Sequence, residues 1–173
     1  MRLFIAINFN ASTRSHLIDL RDELCSRSER GNFSLPENLH VTLAFIGEVS
    51  PGKVDRIEAI LETITFSPFE ATIDRLGTFA HGKLWYAGLH GYKPLIQVQQ
   101  EITHKLASGG FEMDGRKYRP HVTLGRDVMT EAVPWEIEPF GETVTVIDLM
   151  KSERIGGKLI YTAIHTKNSQ DTP

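Results

Sequence analysis

Apolar positions along the chain follow two rhythms, one of helices and one of strands. Residues 3–8 form an apolar run between polar neighbours and predict a buried first strand. Ser12 then stands as the cap of a helix carrying Leu17, Leu20 and Leu24 at helical spacing, with Gly31-Asn32 closing the helical region. Residues 39–46 predict a second strand, and Ser50-Pro51 opens a second helix with Val54, Ile57, Leu61 and Ile64 on one face. Two β-rich stretches, 70–79 and 84–89, meet at His81-Gly82 as a hairpin. A third helix presents Leu95, Val98, Ile102 and Leu106, and Gly109-Gly110 suits its left-handed C-terminal cap. Strands follow at 121–126, 142–151 and 159–165, and the polar residues 166–173 are expected to fray.

Composition narrows the class. The chain has 173 residues, 40% hydrophobic and 24% charged, which fits one domain or two small lobes sharing a core. A lone cysteine, Cys25, excludes an internal disulfide and fits a reducing compartment. No apolar run approaches the roughly 18 residues of a membrane span, and residues 3–7 are too short for a secretory core, so a cytoplasmic protein is expected. With a formal charge of -3 there is no global attraction to nucleic acid, and a polyanion would have to meet a local basic patch.

The chemistry lies in a repeated tetrapeptide. His40-Val41-Thr42-Leu43 and His121-Val122-Thr123-Leu124 are identical and lie 81 positions apart. By chance, two such matches would arise on the order of a few times in a million, so an internal duplication is expected although the halves otherwise share no obvious sequence. In a strand, alternate side chains share a face, so each motif sets His and Thr on one side and anchors Val and Leu on the other. Two imidazoles facing one cleft can divide the work of general base and general acid, and each threonine offers a hydroxyl to a phosphoryl oxygen. Such groups suit in-line displacement at a phosphate diester without a nucleotide cofactor. Two satisfied strand histidines are the bland alternative, and a zinc site is incomplete because neither motif adds a carboxylate or cysteine.

These motifs resemble the H-x-T-x pairs of the 2H phosphoesterase superfamily. Their surroundings are similar to its bacterial and archaeal RNA 2′,3′-cyclic phosphodiesterases, also called the 2′-5′ RNA ligase family. The similarity runs through residues 1–6, 38–48, 84–86, 119–126 and 152–161, and so spans nearly the whole chain, 1–173, as a single domain. Phe33 departs from the pattern, since relatives often carry Trp there. The resemblance implies a bilobal α+β fold of two pseudo-symmetric lobes, with antiparallel sheets around a central cleft, helices outside and one motif from each lobe. It further implies hydrolysis of RNA 2′,3′-cyclic phosphate ends to 2′-phosphates without metal or cofactor, and, in reverse, 2′-5′ ligation. His40 resembles the proton donor to the leaving O3′, His121 the acceptor of the water proton, and Thr42 and Thr123 the phosphate-binding pair. RNA is then the partner, with no membrane and no obligate protein partner.

Other residues carry weaker signals. Arg126 resembles a phosphate-neutralising arginine, yet strict alternation from His121 would turn it to the Val122 face unless Gly125 forms a bulge. Arg116, Lys117 and Arg119 either track RNA phosphates or form a solvated loop. Trp85, Tyr86 and Phe45 are expected in the core, and His16, His81, His90, His104 and His165 on the surface or in structural roles. Against the enzyme stand a module that only holds phosphorylated RNA ends and a phosphodiesterase of another cyclic nucleotide. Turnover of a cyclic phosphate separates the first, and the choice of substrate separates the second.

Overall fold

Strand β1 (Arg2–Asn8) has Leu3 to Ile7 all buried because both of its edges and both of its faces are covered. A computed structural model describes residues 1–170 and places β1 between β3 (His40–Glu48) and β8 (Val146–Ile155), with β9 (Lys158–Asn168) completing a four-stranded antiparallel sheet. The second sheet has five strands in the order β2 (Ser28–Phe33), β6 (His121–Thr130), β5 (Leu84–Leu89), β4 (Phe69–Phe79), β7 (Phe140–Val144), again antiparallel throughout. Helix α1 (Ala11–Ser26) packs on the second sheet, while α2 (Val54–Glu62) and α3 (Lys93–Ser108) pack together behind β9 and β3. The result is the expected α+β architecture of two antiparallel sheets with a motif on each.

The two lobes are not the two halves of the sequence. Strand β2, from the first half, joins the second sheet, and β8 and β9 return to the first. Helices fill the outer faces, so the main core lies behind the sheets, where Leu3, Ile5, Ile7, Val41 and Leu149 of the first sheet, Val122 and Leu124 of the second and Leu17 of α1 all belong to one buried cluster. On its inner face the first sheet keeps a small separate cluster of Phe4, Ala6 and Met150 with Tyr161 against it. Among the described residues no helix is long and apolar enough to cross a membrane.

Four sequence expectations need correction. Asn10, not Ser12, caps α1, its side chain accepting the Thr13 N–H at 2.9 Å; both residue types cap well, and the strand ends early enough for the first of them to serve. Gly31 and Asn32 do not end a helix but lie in β2, an edge strand too polar to show apolar alternation. Residues 142–151 are not one strand: β7 and β8 part at Thr145 and enter different sheets, a break the uninterrupted alternation conceals. The tail does not fray at 166: β9 continues to Asn168, and the N–H groups of Ser169 and Gln170 donate to Thr145 and Phe66 carbonyls. The remainder of that expectation, 171–173, lies outside the described residues.

Candidate active site

Each motif strand carries a bulge directly after its threonine. In β3 the register passes from Ala6 opposite Thr42 to Ile5 opposite Ala44, leaving Leu43 as the extra residue. In β6 it passes from Tyr86 opposite Thr123 to Trp85 opposite Gly125, leaving Leu124 extra. An extra residue inverts the facing of every later position in the strand. Phe45 and Arg126, five positions after their histidines, are therefore exposed and turned to the side of His and Thr. Gly125 leaves room for the ring of Phe33, which a Cβ there would meet at 3.1 Å. Arg126 thus faces the cleft, and Asp127 behind it takes a left-handed φ of 51° as the strand resumes.

The histidines are held alike. His40 donates its Nδ1–H to the Asn38 carbonyl at 2.7 Å, and His121 donates its own to the Arg119 carbonyl at 2.7 Å. A carbonyl only accepts, so both Nδ1 atoms carry hydrogen and Nε2 is the second nitrogen of each ring, that of His40 meeting the Thr42 hydroxyl at 2.9 Å. Phe4 and Tyr161 flank the His40 ring at 5.0 and 5.2 Å, and Phe79 and Tyr86 flank His121 at 5.4 and 5.5 Å. Tyr86 reaches its place by lying across Gly77, where a Cβ would come within 2.4 Å of the ring. Burial lowers both imidazole pKa values from the ordinary 6.5; the backbone acceptors pull the other way, and the charges of His121 on His40 and of Arg126 on His121 lower them further.

A cross-brace joins the lobes. Tyr118, from the segment entering β6, donates its hydroxyl to the Thr42 carbonyl at 2.9 Å. Reciprocally, Ser34, from the segment entering β3, donates to the Thr123 carbonyl at 2.7 Å. Each lead-in thus grips the other motif at its threonine. Burial drives the Tyr118 phenol far above its usual range, so it stays a donor at any ordinary pH.

His40, Thr42, His121, Thr123 and Arg126 line one cleft of about 540 Å³, with Tyr161 and Phe33 in its wall. The threonines differ within it, since the Thr42 hydroxyl lies 2.9 Å from His40 Nε2. Among the described residues no three His, Cys, Asp or Glu side chains cluster as metal ligands. Trp85 is core at 2% exposure, whereas Phe45, expected there, is 49% exposed because the bulge turns it outward. Arg116 in the basic loop is tied to Asp114, whose carboxyl it holds down at about 2, and with Lys117 and Arg119 it lines an adjoining cavity that shares Thr42, His121 and Arg126 with the cleft. His165 pairs with Glu62 at 2.7 Å on the surface, far from the motifs in sequence and in role. The aromatic flanks and the cross-brace escaped sequence reasoning; only the carbonyl two residues before each histidine had a fixed sequence offset that could have been used.

Comparison with known proteins places this geometry. Residues 15–154 match the 2′-5′ RNA ligase superfamily. An RNA 2′,3′-cyclic phosphodiesterase of Escherichia coli is 32% identical, covering 94% of this chain and 93% of the relative. One of Methanothermobacter thermautotrophicus is 30% identical over 94% of this chain and 95% of its own. Among solved structures, E. coli LigT complexed with 3′-AMP superposes with a TM-score of 0.86 at 28% identity, covering 98% of both chains.

Proposed function

Because the chain belongs to the 2′-5′ RNA ligase superfamily, we propose that it is an RNA 2′,3′-cyclic phosphodiesterase working by two-histidine acid–base catalysis. The observation that carries this reading is the pair of imidazoles lining one cleft, each fixed through Nδ1, with Nε2 of His40 beside the Thr42 hydroxyl and Nε2 of His121 the nitrogen left to accept a proton. His121 takes a proton from water, whose oxygen forms a bond to phosphorus. The P–O3′ bond opposite it breaks, and protonated His40 gives its Nε2 proton to O3′. The product is a 2′-phosphate; His40 is left neutral and His121 charged, and exchange with solvent resets both. Thr42, Thr123 and the Arg126 guanidinium hold the equatorial oxygens as charge develops. Phe45 offers its exposed ring as a stacking face for the terminal base. No step calls on a metal or cofactor. Run backwards, with a 5′-hydroxyl in place of water, the same groups make a 2′-5′ linkage.

The test is hydrolysis of a dinucleotide ending in a 2′,3′-cyclic phosphate, with and without prior chelation, the product being compared by chromatography with 2′- and 3′-phosphate standards. A 2′-phosphate formed at undiminished rate after chelation is expected. A 3′-phosphate would reverse the roles of the two histidines, activity dependent on restored metal would remove the metal-free mechanism, and binding without turnover would leave a module for RNA ends.

A further inference from the structure

The proposed roles of the histidines give the substrate a direction. The acid sits against the leaving ribose oxygen and the base against the water on the opposite side, so in-line geometry puts the nucleoside over the first sheet. The chain attached to that ribose then runs across the open face of that sheet, away from the Arg116 to Arg119 loop beside His121.

That face is built for it. Arg2 lies opposite Ser152, Ser152 opposite Tyr161, and Arg154 opposite Leu159, so strand alternation sets Arg2, Arg154 and Tyr161 on the side of Phe4 and His40. A second cavity of about 900 Å³ opens here, sharing Thr42, Arg126, Arg154, Leu159 and Tyr161 with the cleft. Arg2 carries its guanidinium 5.0 Å from the centre of the Phe45 ring, while Arg154 spends one N–H on the Gly157 carbonyl at 3.4 Å. Neither has a carboxylate partner among the described residues. The acids on this wall are taken: Glu48 by the Met1 amino group at 3.5 Å and Glu153 by Lys151 at 2.7 Å. Burial raises the Tyr161 phenol pKa while the charges of Arg126, Arg2 and Arg154 pull it down, so all three guanidinium groups bear on the ring that flanks His40, in a chain whose net charge is -3.

We propose that Arg2 on β1 and Arg154 on β8, beside Tyr161 on the edge strand β9, form an upstream subsite for the phosphodiester 5′ to the terminal nucleotide, which makes oligonucleotide ends rather than cyclic mononucleotides the favoured substrates. This rests on the cyclic phosphodiesterase reading and adds the position of the next phosphate.

Steady-state kinetics on a 2′,3′-cyclic mononucleotide and on a dinucleotide with the same cyclic end tests it. The wild-type chain should show the higher kcat/KM on the dinucleotide, with a steeper fall as salt rises. Arg154→Gln and Arg2→Gln should each cost about tenfold on the dinucleotide, mostly in KM, and flatten that salt dependence by roughly one phosphate contact. Their losses in kcat/KM on the mononucleotide should be several-fold smaller than on the dinucleotide, since an upstream contact has no partner there. Equal rates of the wild type on the two substrates would overturn the subsite, as would equal losses by the variants on both. Transfer of the effect to Lys117→Gln and Arg119→Gln would place the upstream strand on the other lobe and overturn it likewise. Failure of the wild type to hydrolyse either substrate would instead remove the proposed function on which the subsite rests.

Discussion

Strands β3 and β6 solve one problem twice and then part company. Both hold a histidine by Nδ1 to a carbonyl two residues back, both flank the ring with two aromatics, and both bulge after the threonine. At the fifth position beyond the histidine the bulge delivers Phe45 in one lobe and Arg126 in the other. At the threonine, one hydroxyl sits on its histidine and the other does not. The duplicated feature is the geometry that aims a proton-exchanging nitrogen into the cleft. The differences decide the chemistry: an aromatic surface beside the proposed acid, where a nucleoside would lie, and a cation beside the proposed base, where the phosphate and water would meet.

The largest effect should come from the duplicated part. His40→Ala and His121→Ala are each expected to lower turnover of a cyclic phosphate by roughly two to four orders of magnitude with the fold intact, and the double variant should lose little more. Near wild-type turnover by either single variant would break the parallel between the strands and with it the two-histidine mechanism.

The divergent position gives a smaller and more selective effect. Arg126→Ala removes a cation from the developing charge and should cost about a hundredfold in kcat, the scale of a lost oxyanion donor. Phe45→Ala should raise KM several-fold and leave kcat nearly unchanged, because stacking of a base is not remade in the transition state. Matching effects of the two variants on kcat would show that the lobes had not diverged in role.

That divergence bounds how much could be read from the sequence. The repeated tetrapeptide made the two histidines legible because it joins rare residues at a fixed offset, and Gly125 hinted at the bulge that brings Arg126 round. The matching bulge at Leu43 had no glycine to announce it, which is why Phe45 passed for core. Strand β2 and the break at Thr145 were illegible for a related reason: sheet membership depends on pairing between distant segments, a polar edge strand shows no apolar alternation, and a jump between sheets does not interrupt one. The flanking rings of Phe4, Tyr161, Phe79 and Tyr86 come from four strands that meet only in the folded chain.

Protonation offers a finer test. Burial lowers both imidazole pKa values, so in the free enzyme the proposed acid loses its proton below the ordinary 6.5 and kcat/KM should decline above that point. A bound anionic phosphate favours the charged imidazole, so the profile of kcat should lie at higher pH than that of kcat/KM. Arg126→Ala should raise the His121 pKa and move the acid limb toward neutrality, with a smaller response of the His40 limb, because Arg126 acts directly on His121 and reaches His40 only through the His121 charge. Equal movement of both limbs would contradict separate environments. The same lowering has a consequence for folding: the unfolded chain binds these protons more readily, so their contribution to stability is complete above pH 6.5 and is lost as pH falls toward the folded-state values.

The smallest expected effect concerns the contacts that keep the two strands in step. Tyr118 and Ser34 each hold the carbonyl of the opposite threonine, at 2.9 and 2.7 Å, so the motifs are braced through backbone rather than through the histidine and threonine side chains. Removing either hydroxyl leaves a part-buried carbonyl without that donor, at a cost of about 1 kcal/mol by the usual worth of such a bond. A melting temperature lower by several degrees is expected for both Tyr118→Phe and Ser34→Ala. Stability alone would not distinguish a brace from an ordinary buried hydrogen bond, but the site of the kinetic effect would. Tyr118→Phe frees β3, so it should disturb the step that depends on His40, seen as a change in the alkaline limb of the pH profile. Ser34→Ala frees β6 and should act on the acid limb set by His121. The Ser34 backbone N–H also donates to the Leu124 carbonyl at 2.9 Å, which holds β6 even without the side chain, so its variant should show the weaker kinetic change of the two. Variants that lose stability while both limbs keep their positions would show that the hydroxyls stabilise the lobes without registering the histidines.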